Sequence, residues 1–114
     1  MNCFHQSVLL KVIYPSMVEN GSSLFVRGSG CGLNWNSGRY LYPSEKSTLW
    51  TIELDCDDTI PILEVKVLVH DRIWMLGANH RIEFVTNNTG VLTTSTMYPW
   101  FYSRHGSLQI LDNV

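Results

Sequence analysis

Apolar residues occur along this chain in short runs that are separated by residues typical of turns. In the stretch 49–54, Trp50 and Ile52 alternate with polar residues, and three valines alternate in the same way within Glu64–His70. A period of two places apolar side chains on one face of a strand, which indicates one buried face and one wet face. Leu68 belongs to the otherwise polar set of the second run, so that face is not expected to be wholly wet.

The predicted strands follow one another at intervals of roughly ten residues, with glycine or asparagine between them, a spacing typical of sandwiches and barrels. No window keeps a period of 3.6 residues for long enough to predict a helix. The sequence therefore predicts an all-β fold, an immunoglobulin-like antiparallel β-sandwich of about seven strands. The predicted core contains Trp50, Ile52, Val65, Val67 and Val69. The predicted strands are Val8–Tyr14, Leu24–Arg27, Leu49–Leu54, Glu64–His70, Ile73–Met75 and Arg81–Val85, with a two-residue turn at Asp71–Arg72.

The length of 114 residues suits a single hydrophobic core. Residues 1–86 are expected to form the sandwich domain, and residues 87–114 a C-terminal extension packed on the same domain. The extension carries the aromatic segment Tyr98–Tyr102. This segment either covers a sheet edge or docks on a protein partner, and the sequence leaves both interpretations open.

The charge pattern argues against two classes of partner. The formal net charge is −2, and no run of Lys or Arg could follow a phosphate backbone, so nucleic acid is not expected. No stretch reaches the roughly 18 apolar residues of a membrane helix, so no membrane association is expected either. The first residues lack the basic segment and cleavage site of a secretory signal. This favours the cytoplasm unless another route exports the chain.

The three cysteines, Cys3, Cys31 and Cys56, are odd in number and unrelated in spacing. Neither a disulfide framework nor a CxxC metal clamp fits such a pattern. We therefore expect all three to be free thiols. Cys31 lies in a glycine-rich stretch where a thiol could be accessible, but no histidine partner can be assigned to it.

Nothing in the sequence forms a signature of catalysis or of cofactor binding. The stretch Gly28–Gly32 follows a strand, yet it lacks the GxGxxG spacing and the lysine of phosphate-binding loops. The histidines lie in no metal-binding pattern. We therefore expect no enzymatic activity, no cofactor and no metal site. The histidines are His5, His70, His80 and His105.

The tryptophans carry the most functional information. Trp50 lies in an alternating strand and is expected in the core. Trp35 lies in a polar, glycine-rich loop and Trp74 follows a hairpin turn, positions where an indole is hard to bury completely. Exposed aromatic rings framed by Asn and Lys suit carbohydrates, which present CH faces to a ring and hydroxyls to polar side chains.

Six parts of the chain follow one another in an order and spacing that is found in a known family. They are Leu24–Ser29, Gly32–Asn36, Leu49–Leu54, Leu63–Val67, Trp74 and Gly77–Arg81. Together they resemble the starch-binding domain of carbohydrate-binding module family 20 and its relatives, over Val8 to about Phe84. The family has a Leu-Gly-x-Trp loop, which is one residue shorter here at Leu33–Trp35. Ala78 stands where the family has proline, and Val65 where it has an aromatic residue.

The resemblance implies a non-catalytic carbohydrate-binding function, with an α-glucan such as starch or glycogen as the first ligand. It implies that Trp35 and Trp74 are stacking platforms, that Lys66 and Asn79 hydrogen-bond sugar hydroxyls, that Glu64 supports them, and that Tyr42 lies near a second site. The alternative is a protein-interaction module that uses the same sandwich and the Tyr98–Tyr102 segment as its contact surface.

Overall fold

The all-β fold class predicted from the sequence is confirmed. The computed structural model describes residues 5–14, 23–44, 48–57, 62–84, 92–102 and 108–109, and every regular element in these ranges is a strand. Among these residues no helix is long and apolar enough to cross a membrane. The strands are β1 (His5–Ile13), β2 (Leu24–Ser29), β3 (Arg39–Tyr40), β4 (Tyr42–Pro43), β5 (Leu49–Asp57), β6 (Ile62–Val69), β7 (Ile73–Trp74), β8 (His80–Glu83), β9 (Leu92–Met97), β10 (Phe101–Tyr102) and β11 (Leu108–Gln109).

Two sheets build a sandwich-like arrangement. Sheet A has the strand order β4-β5-β1-β9, and β1 runs antiparallel to β5 along its whole length, from His5 opposite Asp57 to Ile13 opposite Leu49. Strand β9 runs parallel to β1, unlike the antiparallel pairs that make up the rest of the described sheets. Because β9 lies within residues 87–114, that part of the chain contributes a strand to the same sandwich.

Sheet B places the strands that matter for the site described below. Its order is β3-β2-β6, and both β7 and β8 pair with the other edge of β6. In an antiparallel pair, directly opposite residues point to the same side of the sheet. The side of sheet B that carries Arg27 and Lys66, which lie opposite each other on β2 and β6, is called the outer face here.

The predicted core residues are buried, as their alternation in sequence indicates. Trp50 and Ile52 of sheet A are 6% and 3% exposed, and the alternating valines of β6 are also buried. Leu68 is fully buried although it lies on the outer face. Its neighbours in the sheet explain this burial, because Phe25 on β2 and Trp74 on β7 are its direct partners.

The turn between β6 and β7 lies one residue earlier than the sequence indicated. His70 and Asp71 have φ of 55° and 56°, and Arg72 N donates a hydrogen bond to Val69 O at 3.0 Å. Two consecutive residues with positive φ are the mark of a type I′ turn, and Asp and His are among the residues that tolerate this conformation best. The turn prediction at Asp71–Arg72 is therefore wrong by one position.

The expectation of three free thiols is also wrong. Cys31 and Cys56 form a disulfide with a Cα–Cα distance of 4.3 Å, and both residues are almost fully buried. The bond joins the loop after β2 of sheet B to β5 of sheet A, so it links the two sheets. Cysteine spacing could not indicate this pairing, because the partners are 25 residues apart in sequence and meet only when the sheets pack. Cys3 lies outside the described residues.

Candidate functional site

The structure brings Trp35 and Trp74 together at the outer face of sheet B. Their ring centroids are 6.3 Å apart and the ring planes are inclined by 32°. Trp74 is 41% exposed and Trp35 is partly exposed. Trp35 comes from the loop between β2 and β3, whereas Trp74 is held in β7 opposite Leu68. Trp35 and Trp74 are 39 positions apart in the sequence, and the fold brings them together into one aromatic surface.

The loop that carries Trp35 is ordered by hydrogen bonds of its own. Leu33 N donates to Gly30 O at 2.9 Å and closes a tight turn, in which Gly32 has a φ of 81° that favours glycine. Beyond this turn, Asn34 Oδ1 accepts hydrogen bonds from the two backbone amides that follow Trp35, at 2.8 and 2.9 Å. An Asn side chain that satisfies nearby amides in this way stabilises a compact loop.

The polar residues named by the sequence lie on the same outer face of sheet B as the aromatic pair. Glu64 and Lys66 both lie on the outer face of β6, and the buried Val65 lies between them in sequence. Asn79 lies in the loop between β7 and β8. Asn79 Nδ2 donates to Glu64 Oε1 at 2.9 Å, and Arg81 Nε lies 3.7 Å from Glu64 Oε2. Glu64 thus orients the Asn79 amide by accepting its hydrogen bond.

Lys66 is engaged with the backbone next to Trp74. Its Nζ donates to the carbonyl oxygen of Met75 at 3.2 Å, and Met75 N donates to Val67 O at 2.9 Å. Met75 directly follows Trp74, so these bonds fix the strand that presents the indole. An Nζ in this position retains further donors for a ligand, because an ammonium group has three.

Tyr42 lies on the other sheet. It is 66% exposed and pairs with Thr51 of β5, whose neighbours Trp50 and Ile52 point into the core. Tyr42 therefore lies on the outer face of sheet A, and the aromatic pair Trp35 and Trp74 lies on sheet B. The structure does not bring Tyr42 to the aromatic pair, and any site at Tyr42 is a separate one.

Two residues that the sequence did not single out lie at the centre of the site. Arg27 Nε donates to Asp71 Oδ1 at 2.9 Å, and Arg27 Cζ lies 5.1 Å from the centroid of the Trp74 ring. The sequence offered one signal for Arg27. It follows the buried Val26 on a strand, so its side chain points to the opposite face of the sheet. Its partner could not be inferred, because it is 44 residues away in sequence.

A second group of exposed aromatic residues lies in the C-terminal part of the chain. Tyr98 is 67% exposed and Trp100 is 44% exposed, whereas Met97, Pro99 and Phe101 between and beside them are buried. The carbonyl oxygen of Trp100 accepts a hydrogen bond from Leu76 N at 2.8 Å. This bond joins the C-terminal segment to the loop that follows Trp74.

His80, next to Asn79, connects the two sheets. Its Nε2 lies 2.7 Å from Ser95 Oγ of β9, and burial lowers the pKa of His80 below its ordinary value of 6.5. The unfolded chain therefore takes up a proton more readily than the folded chain as the pH falls below 6.5. The neutral histidine contributes its full stability above this pH, and the contribution is lost as the pH falls towards the lower pKa of the folded state.

His80→Gln is expected to make the stability less sensitive to pH, because glutamine does not take up a proton. Between about pH 7.5 and 5 the wild type should therefore lose more of its free energy of unfolding than this variant. Thermal unfolding at a series of pH values measures this difference. His70→Asn is the matched control, because His70 is exposed and asparagine tolerates its positive φ. Equal pH dependence of the wild type and His80→Gln would contradict the prediction.

No group of three or more His, Cys, Asp or Glu side chains in the described part of the chain is placed to hold a metal ion. The chain matches no model of a known protein family and no curated protein.

Proposed function

We propose that this chain is a non-catalytic carbohydrate-binding module, and that its first ligand is an α-glucan of the starch or glycogen type. The observation that carries the proposal is the aromatic pair, in which 6.3 Å separates the ring centroids of Trp35 and Trp74 and both indoles are at least partly exposed. An aromatic ring offers a flat apolar surface to the CH face of a sugar. Two such surfaces next to each other can hold two neighbouring sugar units.

The inclination of the rings favours a curved chain over a flat one. The two indole planes differ by 32°, so consecutive sugar units that stack on both must turn relative to each other. α-Linked glucans curve in this way, whereas β-linked glucans form flat ribbons. The Asn79 amide and the Glu64 carboxylate lie on the same face and supply polar groups for hydroxyls. The resemblance to starch-binding domains supports the same ligand class.

Trp35→Ala or Trp74→Ala is expected to weaken binding of a maltooligosaccharide about ten- to hundredfold, since an aromatic anchor contributes roughly 1–3 kcal/mol. Lys66→Ala is expected to cost less, because a hydrogen bond to a neutral hydroxyl contributes about 0.5–1.5 kcal/mol net. Titration of a linear or cyclic maltooligosaccharide, followed by tryptophan fluorescence or heat, measures these affinities.

Trp100→Ala is the matched control, because it removes a tryptophan of similar exposure outside the aromatic pair. It should leave the affinity unchanged. A cellooligosaccharide of equal length should bind more weakly than the maltooligosaccharide. The absence of binding at millimolar maltooligosaccharide, or binding that survives loss of both indoles, would refute the proposed site.

The disulfide favours a compartment other than the reducing cytosol as the location of this protein. Disulfides form and persist in oxidising compartments, and the Cys31–Cys56 bond is buried within the fold. The cytoplasmic expectation was based on the lack of a recognised secretory signal and took no account of a disulfide. We therefore propose that the module works in an oxidising compartment.

The second candidate function is a protein-interaction module. The observation that favours it is the exposure of Tyr98 and Trp100, which alternate with buried residues along the C-terminal segment. Exposed aromatic residues are enriched at protein interfaces. If the sugar titration fails while the protein is folded, this surface becomes the leading site, and Tyr98→Ala with Trp100→Ala are the variants that remove it.

A further inference from the structure

The guanidinium group of Arg27 contacts both elements that carry the indoles. Its Nη1 donates to the carbonyl oxygen of Trp35 at 3.0 Å, and its Cζ lies 5.1 Å from the centre of the Trp74 ring. The remaining contacts are made with the turn before Trp74, where Nε donates to Asp71 Oδ1 at 2.9 Å and Nη2 donates to Asp71 O at 2.8 Å. One planar group thus joins the loop of Trp35, the turn at Asp71 and the ring of Trp74.

Asp71 holds the other end of the Trp35 loop. Its Oδ2 accepts a hydrogen bond from Gly38 N at 3.1 Å, while its Oδ1 accepts from Arg27. The contact is close, because a methyl group at position 38 would collide with Asp71 Oδ1 and with Phe25 Cβ. Partial burial raises the pKa of Asp71, but the hydrogen bonds from Arg27 and Gly38 and the charge of Arg27 together lower it. The carboxylate therefore stays charged at neutral pH.

The pair occupies a position that a sheet does not favour for a cation. Arg27 lies directly opposite Lys66, and like charges in direct register across strands destabilise a sheet. Lys66 turns to the Met75 carbonyl oxygen, and Arg27 turns to Asp71. The Arg27 and Asp71 side chains are only 15% and 26% exposed. The charge of each side chain therefore compensates the charge of the other in a place that is mostly shielded from solvent. A sheet that needed only stability would be served by a neutral residue at position 27.

We infer that Arg27 and Asp71 are a positioning pair, which holds Trp35 and Trp74 at their mutual distance and inclination before any ligand arrives. Arginine suits this function because its planar fork can donate to a carboxylate and to backbone carbonyls at the same time. Lysine keeps the charge but cannot make these contacts together. The consequence for binding depends on the proposed function of the aromatic pair, whereas the geometry of the pair is a property of the free protein.

The first experiment therefore needs no sugar. Two indoles this close couple their electronic transitions and give a pair of bands of opposite sign in the far-ultraviolet circular dichroism spectrum. Trp35→Phe should abolish the band pair and so assign it. Arg27→Lys and Asp71→Asn are each expected to reduce it strongly, and Arg39→Lys, a change at an exposed arginine on the neighbouring strand β3, is expected to leave it intact.

The second experiment measures affinity for a maltooligosaccharide. Arg27→Lys should bind about three- to tenfold more weakly than the wild type, because mobile indoles must be ordered on binding. The double variant Arg27→Lys with Asp71→Asn should lose no more than either single variant, since the two side chains act as one unit.

The two experiments separate failure of the inference from failure of the proposed function. A folded Arg27→Lys protein with an unchanged band pair and unchanged affinity would overturn the positioning pair. A wild type that shows the band pair, loses it in Arg27→Lys and binds no sugar would support the positioning pair and refute the sugar site. If Arg27→Lys does not fold, Asp71→Asn provides the same comparison, with thermal unfolding as the check on folding.

Discussion

Trp50→Ala is expected to lower the free energy of unfolding by about 3–5 kcal/mol, the cost typical of replacing a large buried aromatic residue by alanine. Trp50 is 6% exposed and lies between Val12 of β1 and Pro43 of β4 in sheet A. Its removal leaves a cavity in the centre of the sheet that the neighbours can fill only in part. Chemical denaturation at constant temperature measures the change.

Trp50→Phe is expected to cost much less. The buried Nε1 of Trp50 has no hydrogen-bond partner in the described structure, and a buried donor without a partner costs about 1–3 kcal/mol. Phenylalanine removes this donor and retains most of the ring. Trp100→Ala should lower the stability less than Trp50→Ala does, because 44% of Trp100 is exposed against 6% of Trp50. Equal stability of Trp50→Ala and the wild type would contradict the core position of Trp50.

Loss of the Cys31–Cys56 disulfide is expected to lower the free energy of unfolding by about 3.5 kcal/mol, the value expected from loop-closure entropy for a separation of 25 residues. The double variant Cys31→Ala with Cys56→Ala tests this, because a single variant would leave a thiol able to pair with Cys3. The loop of Trp35 begins at the disulfide, so the affinity for a maltooligosaccharide should fall in the same variant.

The reduced wild type is the matched control, and its stability should equal that of the double variant. Thiol titration of the denatured protein provides an independent count. Three cysteines less the two in the disulfide leave one reactive thiol without reductant, and three are expected after reduction. Three thiols without reductant would show that the disulfide does not form.

The sequence by itself determined the all-β fold class, the main strands β1, β2, β5, β6 and β8, and which of their faces are buried. It did not determine the short strands β3 and β4 or the strands after residue 86. The alternation around Trp50 and Val67 is a property of consecutive residues, and the period of two follows from the backbone of a single strand. The alternation also placed Leu68 as an apolar residue on a mostly polar face. Trp35 and Trp74 were predicted to be exposed, because an indole in a polar loop or beside a turn is hard to bury. The structure brings these two indoles together.

Tertiary structure alone decided how these elements meet. The disulfide joins residues 25 positions apart, and the Arg27–Asp71 ion pair joins residues 44 positions apart. Such pairs depend on strand register and on sheet packing, and a shift of one residue in register would turn Arg27 to the other face of its sheet. The parallel pairing of β9 with β1 is decided in the same way. Local periodicity does not determine the register between two strands. A shift by any even number of residues leaves the same apolar side chains on the buried face.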